Sequence, residues 1–568
     1  MYQGDISMKL RKKLLSSLFV ITLVTSSLVG CSSSSTTDGG DKSTSDQVLN
    51  YSTNSVVVGL NPILNTTAPD NAAHNMVSEP LLRNRTMEGN KNEIIPAAAS
   101  EYTVSEDGKT YTFKFNDERK WSDGVAMTAK DFEYTLKLMA DPKVAATNAW
   151  LYEGVIEGYN EALYDGKDPN TIGVSCPDDK TLEIKLVNPA AYFPELVASL
   201  YPVRQDKYEE WGSKYGTTPE MTLYSGPFVV ESWNQNTEMV LTKNDNYWKA
   251  DKMKLEKMNY KVIQESATAV QAFINKELDI VGTSDPNWAK QIEAEGKSKK
   301  SSVPDSAPEF IMFNTKNEYL QNTKIRQALS MTIDRDGFKD MIFNGNSESI
   351  SSVIPDTMTI GEKSYTELVG GKNYIVDQLK KDNPDPKALL IEGLKELGKP
   401  EDPSKVTINY ASRGTTEVSK KIAELLKQTW EESLGIKVQI DMMEWNIMWE
   451  KIDAGDYDMA SGGWGPYYNE PSGLLSLFDP DTGYFNAEKT GWKNEDSAKY
   501  KELLEEAKVT TDEQRLSEIY LEAEKLLVGN AIVAPAYLGI VNRYVNEKVD
   551  GYYVCTNGNT DWTDVSIK

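Results

Sequence analysis

The chain has 568 residues, of which 39% are hydrophobic and 26% are charged, and its formal net charge is −25. At about 150 residues per domain, this length predicts several domains with more than one core. The strong negative charge repels phosphate backbones and anionic lipid headgroups, so we expect no nucleic-acid partner. A single histidine, His74, and three cysteines without CxxC spacing disfavour a metal site or a redox pair. The composition therefore favours a binding protein without a cofactor over an enzyme.

Residues 1–30 are predicted to be a signal peptide. Four basic residues within 9–13 precede a mostly apolar run over 14–29, which is too short and too polar for a comfortable membrane span. The sequence Leu-Val-Gly-Cys ending at Cys31 resembles a bacterial lipobox, in which the cysteine thiol carries a diacylglycerol. An ordinary secretory signal with an incidental cysteine is the alternative.

The polar segment 31–47 is rich in Ser, Thr, Gly and Asp and is predicted to be a flexible tether. A lipid on Cys31 would then hold the protein at the outer face of the bacterial cytoplasmic membrane, in the Gram-positive manner. No later segment is apolar enough to act as a second anchor.

In the folded part, apolar and polar residues alternate over 110–115, which predicts a half-buried strand. Thr128 with Asp131 three residues later predicts a capped helix start. The sequence Gly-Pro-Phe at 226–228 opens a predicted hairpin whose second strand includes 239–242. His74 is expected at the surface or at a helix end.

The segment 405–442 predicts a strand, a helix and a second strand. Apolar residues alternate over 406–410 and 436–442, and a helical apolar stripe over 418–434 ends at Gly435. Such a unit implies locally parallel strands, because an antiparallel pair does not need a helical crossover.

A further strand is predicted over 457–461, followed by Gly462, Gly463 and Trp464. Ligands of open α/β sheets bind beyond the carboxyl ends of strands, so this strand end is a candidate site. Burial in the core is the alternative for Trp464. Near the carboxyl terminus, a helix over 516–528 and a short apolar strand over 532–537 are predicted.

Several segments in shared order resemble the solute-binding lipoproteins of dipeptide and oligopeptide ABC importers, the extracellular solute-binding proteins of family 5. Each match is short, but together they run from about residue 48 to 555. The segments are 105–113, 120–124, 128–132, 226–228, 244–248, 313–315, 325–330, 333–335, 455–458 and 463–465.

The resemblance implies an α/β, two-lobed periplasmic-binding-protein-like fold of type II, with three domains, mixed sheets and a hinge. The main domain of the first lobe would combine 48–77, 199–305 and 531–568. The inserted domain of that lobe would be 78–198, and the second lobe would be 306–530. The chain would cross between the lobes near 305 and 531, and closure about this hinge would trap the ligand.

The resemblance also implies a function. A monomer without catalytic residues would capture an oligopeptide by pairing with its backbone and deliver it to the ABC permease subunits in the membrane. Alternatives are the same fold binding an oligosaccharide or a capped peptide, a receptor for a peptide pheromone, and a secreted hydrolase.

The candidate ligand-binding residues follow from the same resemblance, with Trp464 as a flat apolar surface under the ligand. They are Thr66, Thr67, Ser461, Gly463, Trp464, Gly465, Tyr467, Tyr468 and Glu470. Where the family has an Asp that pairs with the peptide's α-ammonium, this chain has Tyr467. A neutral phenol cannot form that ion pair, so we hypothesise a ligand without a free α-amine at this point, with Glu470 as the nearest substitute acid.

Three further residue pairs or groups have plainer interpretations. Arg326 and Asp334 are expected to form an ion pair on a helix surface. Cys176 and Cys555 are far apart in the sequence and are expected not to form a disulfide. The acidic run 502–506 is expected to be a solvated helix face.

Overall fold

A computed structural model describes residues 47–87, 91–283, 285–361, 363–371, 374–554 and 560–568. The predicted signal peptide, Cys31 as the predicted lipid attachment site, and Cys555 lie outside these residues, as does the predicted tether except for its last residue. The division into domains stays a prediction.

The strands of the described chain are mostly short, with two long exceptions. In chain order they are β1 (Val48–Thr53), β2 (Leu82–Met87), β3 (Lys91–Pro96), β4 (Glu101–Val104), β5 (Thr110–Lys114), β6 (Val174–Asp178), β7 (Thr181–Lys185), β8 (Phe228–Asn234), β9 (Glu238–Lys243), β10 (Lys257–Val262), β11 (Ile280–Gly282), β12 (Ser298–Phe313), β13 (Ser347–Ser349), β14 (Thr359–Ile360), β15 (Lys363–Ser364), β16 (Thr407–Arg413), β17 (Lys437–Met443), β18 (Met459–Gly463), β19 (Val533–Asn546), β20 (Val549–Asp550) and β21 (Ser566–Ile567).

The helices concentrate in the second half of the chain. They are α1 (Ala68–Val77), α2 (Ala129–Met139), α3 (Tyr159–Asp165), α4 (Phe193–Leu196), α5 (Gln205–Trp211), α6 (Ser266–Ile274), α7 (Pro286–Glu295), α8 (Thr323–Met331), α9 (Arg335–Gly337), α10 (Tyr365–Leu368), α11 (Ile375–Asp382), α12 (Pro386–Glu396), α13 (Glu417–Leu434), α14 (Trp445–Ala454), α15 (Ser472–Leu475), α16 (Ala487–Thr490), α17 (Glu495–Val509) and α18 (Glu513–Gly529). In the part of the chain described, no helix has the length and apolarity needed to cross a bilayer.

Three larger sheets organise these elements. One has the strand order β1-β10-β9-β8, a second has β4-β5-β7-β6, and a seven-stranded sheet has β11-β19-β12-β18-β16-β17 with β13 paired to β19. Buried apolar clusters cover the strands of each sheet. The architecture is mixed α/β, as expected.

The β4-β5-β7-β6 sheet bears out two local predictions. β5 buries Tyr111 and Phe113 on one face, with Phe115 just beyond its end on the same face. Thr128 and Asp131 form the predicted capping box of α2, in which the Thr128 backbone N–H donates to the Asp131 carboxylate at 2.8 Å.

The predicted strand–helix–strand unit is present as β16, α13 and β17. The two strands are parallel and pair from Thr407 with Lys437 to Arg413 with Met443. α13 ends at Gly435, whose φ of 77° is the left-handed conformation that favours glycine at a helix end. β18 lies on the other side of β16 and is also parallel to it.

β12 and β19 form the longest ladder of the molecule. The predicted strand over 532–537 is too short, because β19 runs on for 14 residues through a polar half that pairs with β11 and β12. The register shifts where residues 305–307 of β12 lie opposite Gly539. Irregularities of this kind bend a strand and strengthen its twist.

His74 lies at a helix end, as one alternative predicted, but the surface position for His74 and the surface ion pair for Arg326 are wrong. His74 is fully buried in the last turn of α1, where its Nε2 lies 2.9 Å from the Asn65 carbonyl. Burial lowers its pKa. Arg326 is 2% exposed and donates to the carbonyls of Leu320, Asn530 and Ala531. Its role is to satisfy the carbonyl groups at a helix end, and no ion pair to Asp334 is involved.

Asp334 has its own local role. Its carboxylate accepts a hydrogen bond from the Gly337 backbone N–H at 2.9 Å and so caps α9. The acidic run on α17 behaves as expected, because Leu503 and Leu504 are buried while Glu502 and Glu505 are exposed.

Candidate functional site

The candidate segment 461–471 begins in the middle of the large sheet. β18 runs antiparallel to β12 and parallel to β16, so the chain leaves the sheet at the carboxyl end of two adjacent parallel strands. Gly462 fits against the Phe310 ring, since a Cβ there would lie 2.5 Å from that ring. The two glycines thus allow β18 to end closely packed against β12.

Trp464 is half-buried among aromatic rings. Its ring centroid lies 5.1 Å from that of Tyr484, 5.9 Å from Phe485 and 6.3 Å from Trp449. These neighbours come from α14 and from the loop before α16, so the indole is fixed by core packing on one side. The structure therefore combines the two interpretations of Trp464, as core and as accessible surface.

Trp150 approaches the same segment from the region predicted as the inserted domain. It is 42% exposed, and its ring centroid is 6.3 Å from Trp464 and 5.2 Å from Tyr467, with nearly perpendicular planes. Burial raises the pKa of the Tyr467 phenol. Tyr467 therefore presents a neutral edge-to-face aromatic contact at the position where the family resemblance implies an acid.

Tyr468 and Asn469 contact the neighbourhood of α4. The Tyr468 ring stacks on Tyr192 with centroids 4.3 Å apart and an interplanar angle of 13°. The Asn469 backbone N–H donates to the Glu195 carboxylate at 2.5 Å. Segments more than 270 positions apart in the chain are thereby joined by one stacked pair and one charge-assisted hydrogen bond.

Glu470 points into the core beneath the segment. The Tyr520 hydroxyl donates to its Oε1 at 2.5 Å, and the Ser472 hydroxyl donates to its Oε2. Glu470 is 6% exposed, and burial raises its pKa to about 7. This placement gives no support to Glu470 as an acid that receives the ligand's amine.

The remaining predicted residues have local partners. Thr67 is the N-cap of α1 and its hydroxyl donates to Asp70 at 2.5 Å, while the Thr66 hydroxyl lies 3.0 Å from that of Thr147. The Ser461 hydroxyl accepts from the Arg413 backbone N–H at 2.8 Å. Gly465 is exposed. A ligand role for these residues stays a prediction.

A charged pair in this region was not predicted from the sequence. Arg413 ends β16 and its Nη2 donates to Oε1 of Glu309 on β12 at 2.5 Å. A glutamate between Pro308 and Phe310, in an otherwise apolar strand end, was a signal that could have identified it. Among the described residues, no group of three or more His, Cys, Asp or Glu side chains has the arrangement of a metal site.

Comparison with known proteins identifies the family. The family description "Bacterial extracellular solute-binding proteins, family 5 Middle" matches residues 93–486. The chain belongs to this family. It is 31% identical over 548 residues to the oligopeptide-binding protein OppA of Bacillus subtilis, covering 93% of this chain and 94% of the relative. It is 30% identical over 474 residues to the dipeptide-binding protein DppE of the same organism, covering 83% of each.

Solved structures show the same fold over 92% of the chain. The substrate-binding domain of an oligopeptide ABC transporter from Bacillus anthracis is 28% identical, is covered to 99% and has a TM-score of 0.76. Listeria monocytogenes OppA bound to peptide is 25% identical, is covered to 99% and has a TM-score of 0.74. The pheromone receptor PrgZ is 26% identical, is fully covered and also has a TM-score of 0.76. The chain therefore has the predicted two-lobed, periplasmic-binding-protein-like α/β fold.

Proposed function

We propose that this protein captures oligopeptides in a cleft between two lobes and delivers them unchanged to the permease of an ABC importer. The main observation in support is that Trp464 and the two tyrosines after it lie at the carboxyl end of β16 and β18. Relatives in the same family include proteins named as oligopeptide-binding. Open α/β sheets bind ligands at such strand ends.

The segment suits recognition of an extended backbone. Gly465 has no side chain and is exposed, so a ligand's main chain can approach the protein backbone closely there. Main-chain pairing gives affinity without selecting a sequence, because every peptide carries the same N–H and C=O groups. Trp464 then supplies an apolar surface for the ligand.

Closure supplies the rest of the binding surface. Trp150, Tyr192 and Glu195 reach the segment from the region proposed as the inserted domain, and Trp150 remains 42% exposed. A ligand that contacts both sides stabilises the closed arrangement by its differential affinity for that state. The hinge we propose includes the irregular part of β12 at 305–307.

Tyr467 bears on which kind of peptide terminus the site accepts. The phenol is neutral and packs against Trp150. Two glutamates that contact this segment, Glu195 and Glu470, already accept hydrogen bonds from Asn469 and Tyr520. An α-ammonium placed beside Tyr467 would lose water without gaining an anion, which is unfavourable. We therefore favour a capped peptide, or a longer peptide that continues past this point, over one whose terminus stops there.

Isothermal titration calorimetry with a peptide library tests the proposed function. Wild-type protein is expected to bind peptides, with the N-acetylated form of each at least as tightly as the free form, and mass spectrometry of the mixture should return every peptide intact. Absence of binding across the library, or cleavage of the bound peptides, would contradict the proposal.

A receptor for a peptide pheromone is the second candidate, favoured by the likeness to PrgZ. The mature chain would bind a peptide in the same way in either role, so uptake of a labelled peptide by cells with and without the protein separates them. In both roles we propose a monomer without catalytic residues. A lipid on Cys31 would hold it at the outer face of the cytoplasmic membrane.

A further inference from the structure

Glu309 and Arg413 form an ion pair beside the candidate segment. Glu309 lies opposite Gly463 in the β12–β18 ladder and opposite Tyr537 in the β12–β19 ladder. The Arg413 Nη2 donates to Glu309 Oε1 at 2.5 Å, and the two side chains are 26% and 21% exposed, respectively. The pair is therefore accessible at the same strand ends that support Trp464.

The missing side chain at Gly463 makes room for this carboxylate. A Cβ built on Gly463 would lie 2.8 Å from Oε2 of Glu309 and 2.9 Å from Oε1, which is closer than real Cβ atoms come. The Glu309 carboxylate thus lies over the residue that immediately precedes Trp464. Any residue larger than glycine at 463 would displace it.

The carboxylate is partly buried and has capacity for another donor. Burial raises the pKa of Glu309, with Arg413 opposing the shift, although a fifth of the side chain is exposed. A group on the outer surface would not be desolvated in this way. Among the described residues, only Arg413 donates to the carboxylate, and it donates to Oε1. A carboxylate accepts about four hydrogen bonds, so Oε2 can take a ligand donor.

Three other carboxylates near the candidate segment already accept hydrogen bonds from groups within the protein. The Glu195 carboxylate accepts a hydrogen bond from the Asn469 backbone N–H. The Glu470 carboxylate accepts hydrogen bonds from the Tyr520 and Ser472 hydroxyls. Asp305 accepts from the Ala307 backbone N–H at 3.1 Å, and burial raises its pKa against the opposing effects of this hydrogen bond and of the positive charge of Arg543. Glu309 lies opposite Gly463, the residue before Trp464, and its side chain is 21% exposed.

We infer that Glu309 recognises a cationic side chain of the bound peptide, the ammonium of lysine or the guanidinium of arginine, next to Trp464. The inference rests on the proposed function and names the residue that discriminates among its ligands. The net charge of −25 also attracts cationic ligands to the protein. Removal of one charged hydrogen-bond partner corresponds to about a tenfold loss of affinity.

Calorimetry with Glu309→Gln tests the inference. The probe is an acetylated and amidated hexa-alanine in which lysine is placed at each position in turn, with norleucine at the same position as the neutral control and a free amino terminus as a separate arm. In the wild type, lysine at one or more positions is expected to bind about tenfold more tightly than norleucine. Glu309→Gln should abolish that preference and leave the norleucine affinity within about twofold. The free terminus should add no dependence on Glu309, because the proposed function expects no gain from a free α-ammonium at this site. A preference that depends on Glu309 only when the terminus is free would overturn the inference.

Two variants sharpen the result. Gly463→Ala should remove the preference for lysine because its Cβ displaces the carboxylate, and Asp305→Asn should keep it, although it removes a charge from the same strand. Equal losses for lysine and norleucine peptides in Glu309→Gln, or an unchanged preference, would overturn the inference. If no peptide binds wild-type protein, the proposed function fails first and the inference fails with it.

Discussion

At the scale of single residues, Tyr467 occupies the position where the family resemblance implies an acid that pairs with the peptide's α-ammonium. The phenol packs edge to face on Trp150 and stays neutral, because burial raises its pKa. An anion at this place would be desolvated on closure, so it would favour an ammonium that neutralises it. A single substitution therefore tests whether this residue sets the preference for the ligand's terminus.

Tyr467→Asp should give the protein a preference for free amino termini. We expect about tenfold tighter binding of a peptide whose terminus is free than of its acetylated form, since close charge pairs of this kind contribute about 1.5 kcal/mol or more. Calorimetry on the two peptide forms measures the ratio. Tyr467→Asn is the matched neutral control and should behave like wild type. An equal preference for free over acetylated termini in the Asp and Asn variants would show that this position does not discriminate between the two forms.

Glu470 is the residue whose ionisation should affect stability most directly. Burial raises its pKa from 4.5 to about 7 in the folded state, so between these values the folded protein binds the proton that the unfolded chain releases. The free energy of unfolding contributed by this group therefore falls as pH rises from about 4.5 to 7, by about 3 kcal/mol at most.

Glu470→Gln should flatten that fall. Urea unfolding at about pH 5 and about pH 7.5 is expected to show a smaller loss of stability in the variant than in wild type. Glu502→Gln, which removes an exposed glutamate from α17, is the control and should keep the wild-type dependence. An unchanged pH dependence in Glu470→Gln would mean that Glu470 is ionised throughout this range.

At the scale of elements, local sequence patterns predicted what local interactions determine. The capping box at Thr128 and the unit formed by β16, α13 and β17 follow from residues within one helix or one crossover, and the structure has them. The length of β19 did not follow, because its polar half is a strand only through partners in β11 and β12 more than 230 positions away.

The candidate site also has features that local sequence patterns predict and features that depend on distant contacts. The position of Trp464 at a strand end could be predicted from alternation and glycine spacing. The pair of Glu309 and Arg413, and the approach of Trp150 and Tyr192, depend on contacts between segments separated by about 100 residues or more. No periodicity in one segment reports such contacts.

The stack between Tyr192 and Tyr468 is the element-scale contact that a double-mutant cycle can measure. With centroids 4.3 Å apart, the rings should couple α4 to the candidate segment by about 0.5–1.5 kcal/mol. Urea unfolding of the two single Ala variants and the double variant gives this coupling energy. The same cycle on Tyr102 and Tyr111, whose rings stack within the region 78–198 with centroids 6.3 Å apart, serves as a reference pair. A coupling energy near zero would mean that the stack does not join the two segments in solution.

At the scale of the whole molecule, the chain is a family 5 solute-binding protein in which the long strands β12 and β19 form the centre of the largest sheet described. We propose that this sheet binds the ligand through main-chain pairing, that Tyr467 discriminates against a free terminus beside it, and that Glu309 adds a preference for a cation. Each of these features requires that a peptide occupies the site and leaves it chemically unchanged.

Mass spectrometry of the ligands released when the purified protein is gently denatured tests this central claim most directly. The account predicts a set of intact oligopeptides of mixed sequence, enriched in lysine and arginine. Recovery of only oligosaccharides or other non-peptide solutes from protein that is otherwise loaded would contradict it.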